Sequence, residues 1–310
     1  MSIHYVSAND EYLRLFGHKT YRIALHAGTT CPTRDGTLGV GGCIFCSRAG
    51  SGDFASDATL PIVDQVRLGK ELVRAKAGAD ARYIAYFQAF TSTYGDEEEL
   101  RMKYNEAIAQ EDIVGIAIAT RPDCISNRML EILEELTTKT HVWVELGLQS
   151  IHETSEKWMR RGYPLSCFEE MVARLEKLPL DIVVHVILNL PNETEKMMTE
   201  TIDYVAQLPI QGIKIANLHI LSDSDLGKAY VAHPFPLLGM DEYIDLLSRL
   251  LPRIPRKIVV YRLTGDGPKA TLLAPLWTAN KRQVRNAISK AFREKKVIQG
   301  SLFSEGCPTN

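Results

Sequence analysis

The chain has 310 residues, 45% of them hydrophobic, and 36 basic against 38 acidic side chains leave a formal charge of −2. That composition is enough to bury a substantial core, and it excludes both a low-hydrophobicity disordered chain and an overall polybasic nucleic-acid binder. The near-balance hides a gradient: residues 249–296 carry +11, residues 297–310 carry −1, and residues 1–248 carry −12. An acidic body with a basic end suits a polyanionic partner.

No stretch reaches the ~18 consecutive apolar residues of a membrane-spanning helix. The N-terminus lacks the basic-then-apolar order of a signal peptide, so a cytoplasmic protein without membrane attachment is expected. Three of the six cysteines, Cys31, Cys43 and Cys46, fall within 16 residues. In a reducing compartment such a cluster points to a metal or cluster cofactor rather than to a bridge. Cys124, Cys167 and Cys307 stand alone and read as structural or incidental.

In chain order, short runs rich in Val, Ile, Tyr and Phe predict strands over 21–26, 83–90, 113–120, 141–149, 181–190 and 212–221. They are apolar on both faces, as strands covered by helices are. Helical spacing lies between them. Residues 61–77 align Ile62, Val66, Val73 and Ala77 on one stripe, and 96–110 opens with four acids that suit a helix N-terminus. Ser126 precedes Met129, Leu130, Leu133 and Leu136. Ser166 and Glu169 form a capping-box pattern ahead of Met171, Val172 and Leu175. Residues 193–208 repeat the theme with Met198, Ile202 and Val205. Six βα units imply a parallel sheet. They are too few for a complete eight-stranded barrel, so the expected α/β fold is a partial (β/α)6 TIM-type barrel, with a doubly wound sheet as the alternative. The division expected is an N-terminal segment (1–20), the partial barrel (21–221) and a small C-terminal α/β extension (222–310). The extension holds a helix over 241–251, a strand over 257–263 and a basic helix over 279–296.

The first strand runs into a loop with the spacing C-x11-C-x2-C, in which Gly36, Gly39, Gly41 and Gly42 let the backbone wrap a compact object. Two readings follow: a structural zinc held by the three cysteines and a histidine such as His26, or a [4Fe–4S] cluster with one iron left open. The loop follows a strand's C-terminal end, where parallel barrels keep their chemistry, and no second C-x-x-C knuckle exists.

At these residues the sequence resembles the radical S-adenosylmethionine (SAM) superfamily. More narrowly, it resembles the branch that contains the catalytic subunit of Elongator and the bacterial YhcC/YtqA-type proteins. The resemblance covers roughly 5–300. It is carried by FGHKTYRIALHAGTTCPTRDGTLGVGGCIFC, YFQAFTSTYGD, IATRPDC, VELGLQSIHETSEKWMRRGY and HVILNLPNET.

The resemblance implies that Cys31, Cys43 and Cys46 ligate three irons of a [4Fe–4S] cluster while SAM chelates the fourth. An electron from a donor such as flavodoxin or ferredoxin then yields a 5′-deoxyadenosyl radical. Phe45 would pack on the adenine or simply shield the cluster. Gln88, Ala89 and Thr91 end the second strand, where relatives carry a glycine-rich SAM-binding motif that is absent here. Gln149 would reach SAM's ribose or methionyl part and Arg161 its carboxylate, for which an arginine fork is suited. His185 is either a ribose contact or a satisfied core histidine. Ala119 stands where relatives place a ribose-binding Glu, and Asn189 and Asn192 replace a glycine-rich turn.

The 279–296 helix carries seven Lys/Arg and one Glu. Its Lys281, Arg282 and Arg285 share one face, extended by Arg293 and Lys296, a pattern suited to RNA phosphates. The resemblance implies tRNA as partner and the C5 side chain of the wobble uridine as target. The expected step is the processing of 5-carboxymethylaminomethyl-uridine towards 5-aminomethyl-uridine. The alternatives are a radical SAM oxidoreductase acting on a small molecule, like the porphyrinogen oxidases, and a non-catalytic zinc-stabilised RNA-binding module.

Overall fold

In the computed structural model, which describes residues 4–78, 80–265 and 267–305, ten α-helices and nine strands are seen among the described residues. Cys307 and Asp266 lie outside the described residues. The elements are α1 (Ala8–Phe16), β1 (Thr20–Leu25), α2 (Ile62–Val73), β2 (Arg82–Phe87), α3 (Glu97–Ile108), β3 (Ile113–Thr120), α4 (Asn127–Thr137) and β4 (His141–Gln149). Then come α5 (Glu153–Met159), α6 (Leu165–Leu175), β5 (Asp181–Leu188), α7 (Glu195–Gln207), β6 (Gly212–Asn217) and β7 (Ile220–Leu221). The C-terminal part supplies α8 (Asp225–Ala232), α9 (Met240–Leu250), β8 (Val259–Arg262), β9 (Leu272–Ala274) and α10 (Lys281–Glu294).

The six expected strands pair in parallel in chain order, and β8 joins β6 as a seventh, giving β1-β2-β3-β4-β5-β6-β8. The sheet curls into an open partial barrel, the expected class. The strand expected within the C-terminal extension therefore completes the sheet. Its Val259 and Val260 are buried, and the Val259 N–H donates to Gln211 O at 2.9 Å. The run expected over 212–221 divides into β6 and β7, and β7 turns away to pair antiparallel with β9.

Alternation along the strands sorts side chains to two faces. Ile23, Leu25, Phe87, Ile116, Ile118, Val144, Val184 and Ile215 face outward into the main core beneath the helices. Ile84, Tyr86, Ala117, Trp143 and Val183 point inward, where Tyr12 of α1 packs on them and closes the barrel floor. Trp143 Nε1 donates to the Tyr261 hydroxyl at 2.8 Å across this plug.

Helix starts mostly follow the sequence signals. Ser126 Oγ accepts from the Met129 N–H at 3.0 Å, and Asp96 accepts from the Glu99 N–H at 2.9 Å. The capping box expected at Ser166 does not form. Pro164 takes the N-cap position without a side-chain cap. Its fixed φ suits a helix entry, so the helix begins one residue before Ser166.

Candidate active site

The loop between β1 and α2 carries the three cysteines across the C-terminal end of the barrel. It is pinned at both sides: the Ile44 N–H donates to Met159 O at 3.0 Å, the Leu226 N–H to Ile44 O at 2.8 Å, and the Phe90 N–H to Gly50 O at 2.8 Å. Gly42 has φ +79°, and a Cβ there would sit 2.6 Å from Arg34 Nε. Only glycine lets Arg34 fold back to donate to Ser47 O at 2.6 Å.

Cys31, Cys43 and Cys46 all line one cavity of about 290 Å3 in the mouth of the barrel. Cys31 Sγ lies 3.0 Å from Thr91 Oγ1. Burial pushes the Cys31 thiol up. The Cys46 thiol is lowered to about 7 by its hydrogen bond with Cys43, which outweighs burial, with Ser51 and Arg34 adding to it. One of the three thiols is thus readily available as the thiolate that metals require. Beside them the buried Ser47 Oγ has no hydrogen-bond partner. Three thiols and an orphaned hydroxyl on one roomy cavity fit a bulky cluster with an organic ligand beside it.

The ligand set expected for a structural zinc is not assembled. His26 Nδ1 accepts from the Gly28 N–H at 2.9 Å, and the ring lies against Phe90 with centroids 5.4 Å apart. Among the described residues, no three His, Cys, Asp or Glu side chains converge as a single-ion site. Cys124 and Cys167 do not line this cavity. Burial pushes the Cys124 thiol up to about 12.

Of the expected SAM contacts, Phe45, Gln88, Thr91, Gln149, Arg161 and His185 line the same cavity. Ala89 does not: it is fully buried and packs behind the loop against Gly52. Gln88 Nε2 donates to Ser51 O at 2.8 Å. Gln149 takes φ +68° at the end of β4. Asn189 and Asn192 adopt the left-handed conformation that the turn needs, with φ +65° and +66°. Arg161 is 2% exposed, and its donors are engaged. Nη1 donates to Leu148 O (2.6 Å) and Ser150 O (2.9 Å), Nε and Nη2 donate to Tyr163 O, and Glu156 lies 3.3 Å away. In this form it braces the β4–α5 turn, so a carboxylate approaching it would have to displace carbonyl partners. Ala119 lines the cavity but offers no polar group.

Deeper in the barrel lies a charged floor that sequence reasoning missed. Glu145, 1% exposed, accepts from Tyr86 Oη and His185 Nε2, each at 2.8 Å, from Lys214 Nζ at 2.5 Å, and from Arg22. Burial alone would raise its carboxyl, but Arg22 and Lys214 outweigh that and hold it well below the usual range. Burial lowers the Lys214 ammonium. Burial, then the neighbouring Lys214, lowers the His185 imidazole to about 4. The signal available was a charge in the middle of an apolar strand: Arg22 in TYRIAL, Glu145 in HVWVELGLQ and Lys214 in GIKIAN.

The basic helix is exposed at Lys281, Arg282, Arg285 and Arg293, and Lys296, expected within it, is exposed two residues past its end. It packs through Val284, Ile288 and Phe292. Lys281 Nζ sits 5.1 Å over the ring of Phe54, and Phe54 lines the cavity. The helix therefore begins beside the mouth. No described helix is long and apolar enough to cross a membrane.

Three thiols on the first βα loop of an open parallel barrel define a site of the radical SAM type. Residues 33–205 match the family model described as Radical SAM superfamily, and residues 210–294 match that of the Radical_SAM C-terminal domain. The chain belongs to the radical SAM superfamily, whose enzymes use a [4Fe–4S] cluster and SAM. It is 42% identical to YtqA of Bacillus subtilis over 96% of this chain and 92% of the relative. It is 35% identical to YhcC of Escherichia coli over 94% and 92%. The solved structure of Elp3 from the archaeon Methanocaldococcus infernus superposes with a TM-score of 0.67 at 15% identity, covering 91% of this chain and 64% of that one. This chain thus spans less than two thirds of that structure, and the likeness shows the fold.

Proposed function

We propose that Cys31, Cys43 and Cys46 hold the [4Fe–4S] cluster, and that the enzyme modifies the wobble uridine of tRNA. The step is the processing of a 5-carboxymethylaminomethyl side chain towards 5-aminomethyl. The observation that carries the first part is that the three thiols line one cavity with Phe45, Thr91, Gln149 and His185 at the C-terminal ends of the strands. When bound, the cluster and SAM supply one-electron cleavage of a sulfonium bond and a carbon radical. The chain's own residues do the rest. Phe45 offers an apolar face, and Gln149, whose amide makes no hydrogen bond among the described residues, offers a polar contact. The pinned loop keeps the thiols at the mouth, and α1 seals the opposite end against water.

The tRNA reading is supported by the resemblance to the Elongator-like branch and by the basic face of α10, which starts beside Phe54 at the cavity mouth. A base splayed out of a single-stranded loop can enter such a mouth. Flavodoxin or ferredoxin would serve as electron donor. Two measurements test the proposal. Anaerobic reconstitution should give a brown protein with four irons per chain that releases 5′-deoxyadenosine from SAM, and Cys31→Ala, Cys43→Ala or Cys46→Ala should each abolish that release. Full activity in any of the three means the ligand set is wrong. Nucleoside mass spectrometry of tRNA from a strain lacking the protein should show accumulated 5-carboxymethylaminomethyl-uridine. An unaltered profile would favour a small-molecule substrate.

A further inference from the structure

The barrel floor gathers more positive charge than its one carboxylate neutralises. Arg22, Lys214 and Arg262 converge there with a single carboxylate, Glu145. Arg22 is sealed away from the cavity, its guanidinium carbon lying 4.9 Å from the Tyr86 ring centroid and 5.0 Å from that of Tyr261. Glu145 already accepts from Arg22, Lys214, Tyr86 and His185, which fills the roughly four lone-pair sites a carboxylate offers. Arg262 lines the same floor. Among the described residues it makes no hydrogen bond or ion pair, although its charge is felt by Tyr86, His185 and Lys214. The other arginines on the cavity wall are accounted for: Arg34 by Ser47 O, Arg121 by Asp123, and Arg161 by carbonyls and Glu156. Asp53, on the cysteine loop, is the one further acid among the lining residues described.

Arg262 is half-buried, and a guanidinium partly shielded from water with no counter-charge beside it favours an anion that enters from the cavity. We infer that Arg262 and Lys214 form a carboxylate-binding subsite that receives the anionic end of the substrate. The donors present suit that group. A guanidinium fork and an ammonium match two carboxylate oxygens, while His185, whose Nε2–H goes to Glu145, holds the Glu145 carboxylate in place. Register sets the arrangement: His185 of β5 lies directly opposite Lys214 of β6, and Lys214 pairs with Arg262 of β8. The inference rests on the reading of this cavity as the substrate site. It deepens that reading by assigning the carboxymethyl group a place. The removable part of the side chain would be held at the floor, with the uridine towards the mouth.

The test is equilibrium binding to the reconstituted protein without reductant. Two probe pairs differ only by the carboxymethyl group: 5-carboxymethylaminomethyl-uridine against 5-aminomethyl-uridine, and N-benzylglycine against benzylamine. The wild type should prefer the acid in each pair by about tenfold, the worth of a charge-assisted hydrogen bond. Arg262→Gln should remove that preference and Arg262→Lys restore part of it, with thermal melting used to confirm that each variant folds. Acid preference in the benzyl pair alone would keep the floor and sink the wobble-uridine reading. No preference in either pair overturns the floor. Weaker SAM binding by Arg262→Gln, with the nucleoside preference intact, also overturns it, because the floor would then belong to SAM's own carboxylate.

Discussion

Glu145→Gln tests the charge stoichiometry of the barrel floor directly. The side chain is inaccessible to solvent, so its ion pairs gain no relief from screening. Removing its charge leaves Arg22 and Lys214 buried without a counter-ion. Breaking a buried pair in this way costs about 3–5 kcal/mol. Lys214→Met is different: the Arg22–Glu145 pair survives, Tyr86 still donates to Glu145, and the loss is about 1–2 kcal/mol of hydrogen bonding. Unfolding entropy of about 2.1 cal/mol/K per residue over 310 residues converts 1 kcal/mol into about 1.5 °C. Glu145→Gln should then lower Tm by about 5–8 °C and Lys214→Met by about 2–3 °C. The double variant should melt above Glu145→Gln alone, because removing Lys214 relieves an unpaired ammonium. Thermal melts followed by circular dichroism give all three values. Equal losses for the two single variants, or a double variant worse than both, would refute Glu145 as the one counter-charge that Arg22 and Lys214 share.

Three other outcomes follow from the same geometry. His185 is depressed to about 4 in the fold, so it is neutral there while the unfolded chain's histidine takes a proton near pH 6.5. Its contribution to stability is therefore present above about pH 6.5 and lost as pH falls towards 4. Urea midpoints across that window should decline in the wild type and decline less in His185→Phe; identical slopes would remove His185 from the acid response. Gly50 sits at φ +58°, and a Cβ there would run into the Phe90 ring. Gly50→Val should cost about 1–3 kcal/mol through overpacking and strain and lower iron loading measured after reconstitution; unchanged loading would free the loop from this anchor. Charge reversal at Lys281, Arg282 and Arg285 should weaken tRNA binding and reduce the salt slope by about 0.7–0.9 for each phosphate no longer neutralised. An unchanged slope would return α10 to a solvated face.

Much of the frame was legible because it depends on local pattern. The strands over 113–120 and 141–149 needed only apolar runs bounded by turns, and the Ser126 and Asp96 caps needed only one side chain and the next turn. Ser166 failed because Pro164, two residues earlier, already fixes the entry. β8 was legible as a strand but not as part of the barrel, because Val259 meets β6 only through a pairing across 47 residues. The cysteine loop announced itself by spacing, since ligands for one cofactor must lie close along a wrapping backbone. The floor did not. Arg22, Glu145, Lys214 and Arg262 come from four different strands, and only curvature and register bring them together. In each strand the flanking apolar residues dominated the pattern and made a single charge look incidental.

The overall charge of −2 therefore conceals two separate things. One is the surface gradient, with the basic α10 set against an acidic body, which was visible by counting. The other is an interior of opposite sign to the body that encloses it, which counting cannot reveal because a count does not separate Glu145, the one buried acid among the described residues, from the acids at the surface. The two positive regions act over different ranges. Exposed lysines and arginines on α10 work through solvent, where the potential decays over about 8 Å at physiological salt; they suit the capture of a polyanion and lose strength as salt rises. The floor would work in contact, shielded by the barrel, where a charge acts on one small anionic group after entry. Capture without discrimination would admit any RNA, and discrimination without capture would leave a small mouth to be found by chance. Lys281 over Phe54 is where the two meet, because the first residue of the basic helix stands on a side chain that lines the cavity.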